Sequence, residues 1–180
     1  RLSDIMYRHV PDNYTDIELS PVAPLGTNSV LTALSQKLVL STVRNVEALA
    51  DPTTTLALEC AKMRRNKSKG SSSDDFLIDL CTSARCIRAQ VFSKESGFIP
   101  HFQVFSLASG GILPNSQMDS KIIEHMSILL NFLNGIQERD QSYSVRDINV
   151  EISDINITES LIRFCNLNRK ELGRHSQDNG

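Results

Sequence analysis

Two apolar runs with a period of two lie on either side of a polar turn near the middle of the chain. Residues 86–92 and 101–107 alternate as β-strands do, and residues 93–100 between them contain serine, glycine and proline. Alternate side chains of a strand share a face, so Arg88 and Gln90 are expected side by side. The pattern predicts a long antiparallel hairpin that presents a guanidinium and an amide on one surface.

Helical spacing dominates three other segments. Apolar residues recur every three or four positions over 122–136, which predicts an amphipathic helix capped by Asp119. Asp51 followed by proline is typical of a helix start, and that helix is predicted to continue to about residue 65. A last helix is predicted to begin with Thr158 as its cap.

Two further segments are predicted as strands. Residues 38–43 are apolar and β-branched, as a buried strand requires. Residues 143–152 alternate between apolar and polar side chains, which is typical of a sheet with one covered face. Strands joined by hairpins, with helices packed on one face of an antiparallel sheet, make an α+β fold.

The length of 180 residues predicts a single domain over residues 1–180, because a chain of this size can bury one ordinary core. Three prolines and a glycine interrupt residues 1–36 after position 10, so this segment is read as an irregular arm with at most a short strand at 17–22. The polar residues 173–180 are expected to be a frayed tail.

Composition narrows the class of protein. A net charge of −2 gives no general attraction for nucleic acid or for an anionic membrane. Charged and polar residues interrupt every apolar segment before it reaches the roughly 20 residues of a membrane span, so no membrane association is expected. The four cysteines have no zinc-site spacing, and we expect reduced core residues and a cytoplasmic location.

Arg88 is the strongest candidate for binding a ligand. A guanidinium held on a strand matches the oxygens of a phosphate or carboxylate, and Gln90 could read an amino or carbonyl edge. His101 and Phe105 would share the face of the return strand, near a phosphate and a base respectively. The alternative is that Arg88 and Gln90 are solvated and that Phe105 belongs to the core.

These residues carry a family resemblance. Arg88-x-Gln90, a turn, and then His101 with Phe105 four positions later resembles motif 2 of the class II aminoacyl-tRNA synthetases. That motif reads Arg-x-Glu, a loop, and then His or Arg followed by Phe. Residues 50–61 are similar to the stretch before motif 2 in the histidyl-type branch. The resemblance covers roughly residues 40–135.

The resemblance implies a class II synthetase-like fold and a nucleotide site. It implies that Arg88 holds the α-phosphate of ATP, that Gln90 reads the adenine amino group, and that His101 lies near the γ-phosphate. Phe105 would stack on adenine, and Thr55 would belong to the amino-acid pocket. ATP and Mg²⁺ are the cofactors that the resemblance allows.

Two departures from the family pattern argue against full catalysis. Gln90 replaces a glutamate, which changes a charged acceptor into a neutral amide. Motif 3, a glycine-rich strand followed by a helix with a second phosphate-binding arginine, is not visible, because residues 172–174 lack the preceding glycines. Adenylate chemistry needs preorganised cations at the pyrophosphate. We therefore expect a domain that binds an adenine nucleotide or an amino acid, without full synthetase activity.

Two other classes of function stay open. The hairpin and the helix 122–136 could instead form a homodimer or a partner surface, as a non-enzymatic interaction module. RNA could bind to a basic segment, although cations at a helix C-terminus also explain that segment: its residues are Lys62, Arg64, Arg65, Lys67 and Lys69. Asp74, Asp75 and Asp79 are read as a polar cap, and no metal site is predicted.

Overall fold

The computed structural model describes residues 2–32, 34–68, 76–112, 114–140, 142–152 and 155–164, and it divides into two compact units, residues 1–144 and 145–180. In the first unit the described elements are, in chain order, α1 (Leu2–Arg8), β1 (Thr15–Asp16), β2 (Val22–Pro24), α2 (Thr27–Val30), a 3₁₀ helix (Gln36–Leu38), β3 (Val46–Ala48), α3 (Pro52–Ser68), β4 (Phe76–Ile87), β5 (His101–Ile112) and α4 (Asn115–Arg139). The described part of the second unit contains α5 (Ile155–Phe164).

The main sheet has the strand order β1-β4-β5. The short β1 runs parallel to β4, with Thr15 opposite Leu80. β5 runs antiparallel to β4 over twelve consecutive residue pairs, beginning with His101 opposite Ile87. A second, two-stranded sheet pairs β2 with β3.

The predicted helix at Asp51 is confirmed as α3. The Asp51 carboxylate accepts a hydrogen bond of 2.9 Å from the backbone N–H of Thr53, and Pro52 occupies the first helical position. The carboxylate thus satisfies one of the free N–H groups of the first turn. The sequence therefore fixes where this helix begins.

α3 packs against one face of the sheet at very short range. Leu56 and Cys60 form a buried cluster with Ile78 and Leu80 of β4. On β5, a Cβ atom added to Gly110 would lie only 2.9 Å from the Cβ of Cys60. Glycine is required here because real Cβ atoms do not approach so closely, and the helix can therefore lie directly against the strand.

α4 and α1 cover the opposite face. Ile128 of α4 packs with Tyr14 and with Cys81 of β4. α1 and α4 touch at Gly135, where an added Cβ would lie 3.0 Å from a methyl group of Ile5. The sheet is therefore covered by helices on both faces.

The α+β class is confirmed, but two details of the predicted architecture are wrong. Helices lie on both faces of the sheet, and β1 adds a parallel pair to a sheet predicted to be antiparallel. Alternation within β4 and β5 sends apolar side chains to both sides of the sheet, and each side requires a covering layer.

No described helix is long and apolar enough to cross a membrane. The single-domain boundary of the sequence analysis stays a prediction.

The predicted hairpin is confirmed as β4 and β5, but its first strand is displaced. β4 ends at Ile87, so Arg88 and Gln90 lie beyond the strand and not on its face. After Ile87 one more bond of the ladder joins the N–H of Arg88 to the carbonyl of Pro100, and the N–H of Ala89 then donates to the carbonyl of Leu38 at 2.7 Å. The side-by-side arrangement expected for Arg88 and Gln90 is therefore wrong.

Two other predicted strands are absent from the described residues. Residues 38–43 contribute only the end of the 3₁₀ helix and an isolated bridge at Ser41. Residues 143–152 contain no strand, although their apolar positions alternate. Asp147 has a left-handed backbone with φ of 56°, which interrupts an extended chain. Alternation does not make a strand where no neighbouring strand pairs with it.

Helix boundaries also differ from the predictions. α4 contains the predicted segment 122–136 but begins at Asn115, before the expected cap Asp119. α5 begins at Ile155, before the expected cap Thr158. The first 36 residues, read as an irregular arm, contain α1, α2 and two short strands. Residues 173–180 lie outside the described residues.

The thiols agree with the sequence analysis as far as they are described. Cys60, Cys81 and Cys86 are free and buried. Burial raises the pKa of the Cys81 and Cys86 thiols to about 11 and also raises the pKa of the Cys60 thiol. These side chains therefore stay protonated at neutral pH and behave as small apolar groups. Cys165 lies outside the described residues.

A buried carboxylate ties the N-terminal segment to the strand before α3. Glu47 of β3 is fully buried and accepts hydrogen bonds from the backbone N–H groups of Gly26 and Asn28 and from the side chains of Asn28 and Gln36, at 2.7–2.9 Å. Burial alone would raise the pKa of Glu47, but these hydrogen bonds outweigh it and the pKa lies below its usual range.

Asn28 carries this link to the start of α3. The side-chain oxygen of Asn28 accepts hydrogen bonds from the backbone N–H groups of Ala50 and Asp51, at 3.2 and 3.1 Å. The same side chain donates to Glu47. Glu47 and Asn28 therefore determine where the first residues of α3 lie.

We predict that Gly110→Ala lowers the free energy of unfolding by about 1–3 kcal/mol, because the new methyl group overlaps Cys60. Urea unfolding measures the change. The double variant Gly110→Ala with Cys60→Gly removes the overlapping atom, so its loss should be smaller than the sum of the two single losses. Additive losses would contradict the close contact.

We predict that Glu47→Gln destabilises the protein by about 3 kcal/mol at pH 7, because four donors lose a charged acceptor. The native pKa of Glu47 lies below the unfolded value of about 4.3. Between these two pKa values the unfolded chain binds a proton that the native protein does not. The wild type should therefore lose stability as the pH falls below about 4.3, and the variant should lose less.

Urea unfolding at pH 7 and pH 3.5 measures both effects. Glu59→Gln is the matched control, because Glu59 makes only an exposed ion pair with Lys62 on α3 and should change stability by no more than about 0.5 kcal/mol. An identical response of the two variants to pH would contradict the role assigned to Glu47.

Candidate functional site

Arg88 holds the end of β4 to the start of α3. Its Nε donates a hydrogen bond of 2.9 Å to the carbonyl oxygen of Ala50, and its Nη2 lies 3.4 Å from a carboxylate oxygen of Asp51. The guanidinium also lies over the ring of Phe102, 5.3 Å from the ring centre. Arg88 is therefore a half-buried cation whose described partners belong to the protein itself.

The structure does not bring the other predicted site residues around Arg88. Gln90 is exposed in the loop after β4, and His101 is exposed at the start of β5. Phe105 lies on the opposite face of the sheet, where its ring contacts Tyr7 at 5.8 Å. Alternation along β5 explains this, since Phe102 and Phe105 differ by an odd number of positions.

Thr55 lies in the first turns of α3. Its hydroxyl oxygen and that of Thr54 are buried and have no hydrogen-bond partner among the described residues. Buried hydroxyl groups are normally hydrogen bonded, so these two groups are exceptions within the described part of the chain. The aromatic residue that lies beside Arg88 is Phe102, which the sequence analysis did not select.

A cavity of about 670 Å³ is lined by the second half of α3, by the last third of β5 and by His125 of α4. Most of its wall is made of small or apolar groups, together with the backbone of Gly110 and Gly111. The cavity is lined by Ala57, Cys60, Ala61, Arg64, Arg65, Leu107, Ala108, Ser109, Gly110, Gly111 and His125. None of the five residues predicted as a site lines it.

The polar wall of this cavity belongs to a hydrogen-bonded network. The Ser109 hydroxyl donates to the carboxylate of Asp79 at 2.5 Å and lies 2.8 Å from Nε2 of His125. Because Ser109 uses its proton toward Asp79, it accepts a hydrogen bond from His125. Asp79 also accepts from Asn13 at 2.8 Å and from Lys121 at 3.0 Å.

This order of groups is not that of a serine nucleophile. Catalysis by a serine hydroxyl needs the histidine to accept its proton, whereas here Asp79 accepts it. Burial lowers the pKa of His125, and the nearby Lys121 lowers it further, while Asp79 and Glu124 oppose the change. His125 is therefore neutral at pH 7 and presents a fixed hydrogen-bonding edge to the cavity.

Sequence reasoning did not find this cavity. Asp79 was read as part of a polar cap, and Asp74 and Asp75 lie outside the described residues. Ser109 and His125 are 16 positions apart and belong to different elements, so no local motif connects them. Only Arg64 and Arg65 had been singled out, as part of the basic segment whose last member, Lys69, lies outside the described residues.

Comparisons with known proteins identify the fold. No family model and no curated protein matches the chain. Two solved structures of pyrrolysyl-tRNA synthetase from Desulfitobacterium hafniense do match: one, named PylSc, has a TM-score of 0.59 and 10% identity over 85% of this chain and 48% of its own. The other has a TM-score of 0.60 and 9% identity over 86% of this chain and 50% of its own.

A third solved structure is an ATP phosphoribosyltransferase regulatory subunit/histidyl-tRNA synthetase from Bacillus halodurans C. It has a TM-score of 0.53 and 17% identity over 73% of this chain and 33% of its own. The chain thus spans at most about half the length of these three proteins. At such low identities the likeness shows the fold, which is class II synthetase-like, as the resemblance implied.

We predict that Arg88→Ala lowers the free energy of unfolding by about 1–2 kcal/mol, because it removes a hydrogen bond, an ion pair and a ring contact together. Arg85→Ala is the matched control: Arg85 is an exposed residue of β4, and its removal should cost less than about 0.5 kcal/mol. Urea unfolding measures both variants. Equal losses would show that the contacts of Arg88 contribute little.

Proposed function

We propose that this class II synthetase-like domain binds a small ligand in the cavity between α3 and β5. The ligand has an apolar or planar body and an anionic group, a description that fits an amino acid and an adenine nucleotide. The observation that carries the proposal is the cavity itself, which has a small-residue wall and two arginines. Full synthetase activity is not part of the proposal.

The size of the cavity supports a small organic ligand. Ligand sites usually occupy about 300–1,000 Å³ and combine an apolar lining with a few polar groups, and this cavity measures about 670 Å³. Ala57, Ala61 and Ala108 have short side chains, so the space beside α3 stays open. An apolar side chain or a purine ring would be buried against them.

The charges on the wall support an anionic group on the ligand. Arg64 and Arg65 line the cavity, and a guanidinium matches the oxygens of a carboxylate or phosphate. Asp79 is the nearest buried carboxylate, and it is paired with Lys121 and hydrogen bonded to Ser109. Asp79 therefore repels an incoming anion less than an unpaired carboxylate would.

In this proposal Arg88 does not touch the ligand in the cavity but holds the start of the helix that forms the cavity wall. It fixes Ala50 and Asp51, which begin the helix that forms the cavity wall. A nucleotide at the hairpin end would occupy a site separate from the cavity, and Arg88, Gln90 and His101 are its proposed phosphate and base contacts. Phe102 replaces Phe105 as the proposed stacking ring, because Phe105 packs on the other face.

The nucleotide, Mg²⁺ and the amino acid are all proposed ligands. Among the described residues, no three histidine, cysteine or acidic side chains converge as metal ligands, so Mg²⁺ would have to arrive on the phosphates of a nucleotide. The buried hydroxyl of Thr55, which has no hydrogen-bond partner among the described residues, is a proposed contact of an amino acid. The structural neighbours are named for pyrrolysyl- and histidyl-tRNA synthetases, which supports an amino acid as the ligand.

A non-enzymatic interaction module is the second candidate function. Val91 and Phe98, in the loop between β4 and β5, are 95% and 70% exposed, and large apolar side chains exposed together mark contact sites for other proteins. Phe98 also lies against Phe92, with ring centres 5.7 Å apart. This loop could form the homodimer contact considered in the sequence analysis.

We predict that an amino acid or ATP raises the melting temperature in a concentration-dependent manner, since a ligand that binds the native state must stabilise it. A panel of the standard amino acids and ATP with and without Mg²⁺, each tested by differential scanning fluorimetry, separates the two ligand classes. Arg64→Ala should reduce the affinity at least about tenfold, which corresponds to about 1.4 kcal/mol.

Lys62→Ala is the matched control, because Lys62 lies on α3 but is paired with Glu59 and does not line the cavity. It should leave the affinity unchanged. ATP–pyrophosphate exchange should be absent even with the ligand bound. No stabilisation by any of these compounds up to millimolar concentration would reject ligand binding and favour the interaction module.

A further inference from the structure

A second, smaller cavity is lined by α4, by the start of β4 and by the end of β5. It measures about 300 Å³, which is at the lower end of the volumes of about 300–1,000 Å³ that ligand sites usually occupy. Its apolar wall consists of Leu77, Met118 and Ile122, and polar side chains of β5 and α4 form the rest. The cavity therefore suits a compact molecule with an apolar body and one polar group.

The polar wall of this smaller cavity includes a hydrogen-bond acceptor on His125. Because Ser109 gives its proton to Asp79, Nε2 of His125 carries the proton that Ser109 accepts. A neutral imidazole has one protonated nitrogen, so the other nitrogen, Nδ1, has a lone pair. Within the described part of the chain, the hydrogen bond of His125 is the one that Nε2 makes to Ser109. His125 thus offers Nδ1 as an acceptor to a molecule in the cavity.

The charges around His125 favour a cation in the smaller cavity. Nζ of Lys121 lies 3.0 Å from carboxylate oxygens of both Asp79 and Glu124. Burial would lower the pKa of Lys121, but its hydrogen bonds to Glu124 and Asp79 outweigh burial and raise the pKa, so Lys121 stays an ammonium. Two carboxylates and one ammonium leave this group of side chains with one net negative charge. That excess attracts a cation and repels an anion.

Lys121 lines the smaller cavity, but its charge is already balanced. Its ammonium donates to Asp79 and Glu124, and it also lies over the ring of Tyr14, 5.4 Å from the ring centre. An anion that bound Lys121 would have to displace one of these carboxylates or approach both of them. Asp79 is buried and is also held by hydrogen bonds from Asn13 and Ser109, so its displacement would leave buried polar groups unsatisfied.

We propose that the smaller cavity binds a protonated primary amine, whose ammonium donates a hydrogen bond to Nδ1 of His125 and whose apolar body packs against Leu77, Met118 and Ile122. The proposal goes beyond the function proposed for the larger cavity, because it assigns a second site to a ligand of opposite charge. Ser109 and His125 line both cavities, so the two sites share one wall.

Three compounds of similar shape and different charge test the proposal. Benzylamine, benzyl alcohol and benzoate each combine one aromatic ring with one polar group, and at neutral pH they are cationic, neutral and anionic. Isothermal titration calorimetry should give benzylamine a dissociation constant of about 1 mM or lower. Benzyl alcohol should bind at least about tenfold more weakly, and benzoate should show no saturable binding.

Matched tryptophan variants locate the bound amine. Ile122→Trp fills the smaller cavity and should abolish benzylamine binding. Ile123→Trp is the control, because Ile123 is 62% exposed on the same helix and lines neither cavity; it should leave the affinity unchanged. Ala61→Trp fills the larger cavity instead and should also leave benzylamine binding unchanged. Urea unfolding establishes that each variant is folded.

His125 is tested at the atom that the proposal names. Nitrogen NMR of the wild type should show Nε2 protonated and Nδ1 unprotonated, and benzylamine should shift the resonance of Nδ1 more than that of Nε2. His125→Phe keeps a ring but removes the acceptor, and it should weaken benzylamine binding at least about tenfold. The NMR measurement needs no substitution, so it decides the role of His125 even where the variant does not fold.

Four results would overturn the proposal. Benzoate that binds as tightly as benzylamine would make the cavity an anion site at Lys121, and benzylamine binding that survives Ile122→Trp would place the amine elsewhere. A protonated Nδ1 in the wild type would remove the acceptor, and the absence of benzylamine binding would reject the site. Stabilisation by ATP or an amino acid, and its reduction in Arg64→Ala, are measured separately, so neither proposal depends on the outcome of the other.

Discussion

The buried carboxylate of Glu47 is the interaction on which the arrangement of the candidate site depends. Four hydrogen bonds hold a carboxylate that is cut off from water, and losing any of them would leave a buried polar group unsatisfied. Asn28 shares this geometry and passes it to the backbone of Ala50 and Asp51. Asn28 therefore positions the first turn of α3, although it lies more than 20 residues earlier in the chain. Arg88 is positioned with that turn through its bond to Ala50.

The second constraint is the contact between Cys60 and Gly110. Glycine has no Cβ atom and therefore allows a helix to approach a strand more closely than other residues do. Here the helix converges on the strand at Gly110, and small residues around the contact leave a cavity open beside it.

The residues that carry the family resemblance and the residues that line the cavity therefore lie in different parts of the fold. The motif-like residues Arg88, Gln90 and His101 belong to the hairpin end but do not come together there, and Arg88 is held by protein partners. The cavity of about 670 Å³ lies at the other end of α3. A class II synthetase-like fold accommodates both observations, because the fold is shared at identities too low to carry an activity with it.

The sequence by itself determined the elements whose signals are local: the cap of α3 at Asp51, the hairpin and the long helix α4. These depend on neighbours within a few positions, which periodicity and capping chemistry describe. Only the tertiary structure decided where β4 ends, that residues 143–152 form no strand, and that Ser109 and His125 meet beside a cavity. Pairing, burial and the approach of distant segments fix those features, and no local pattern records them.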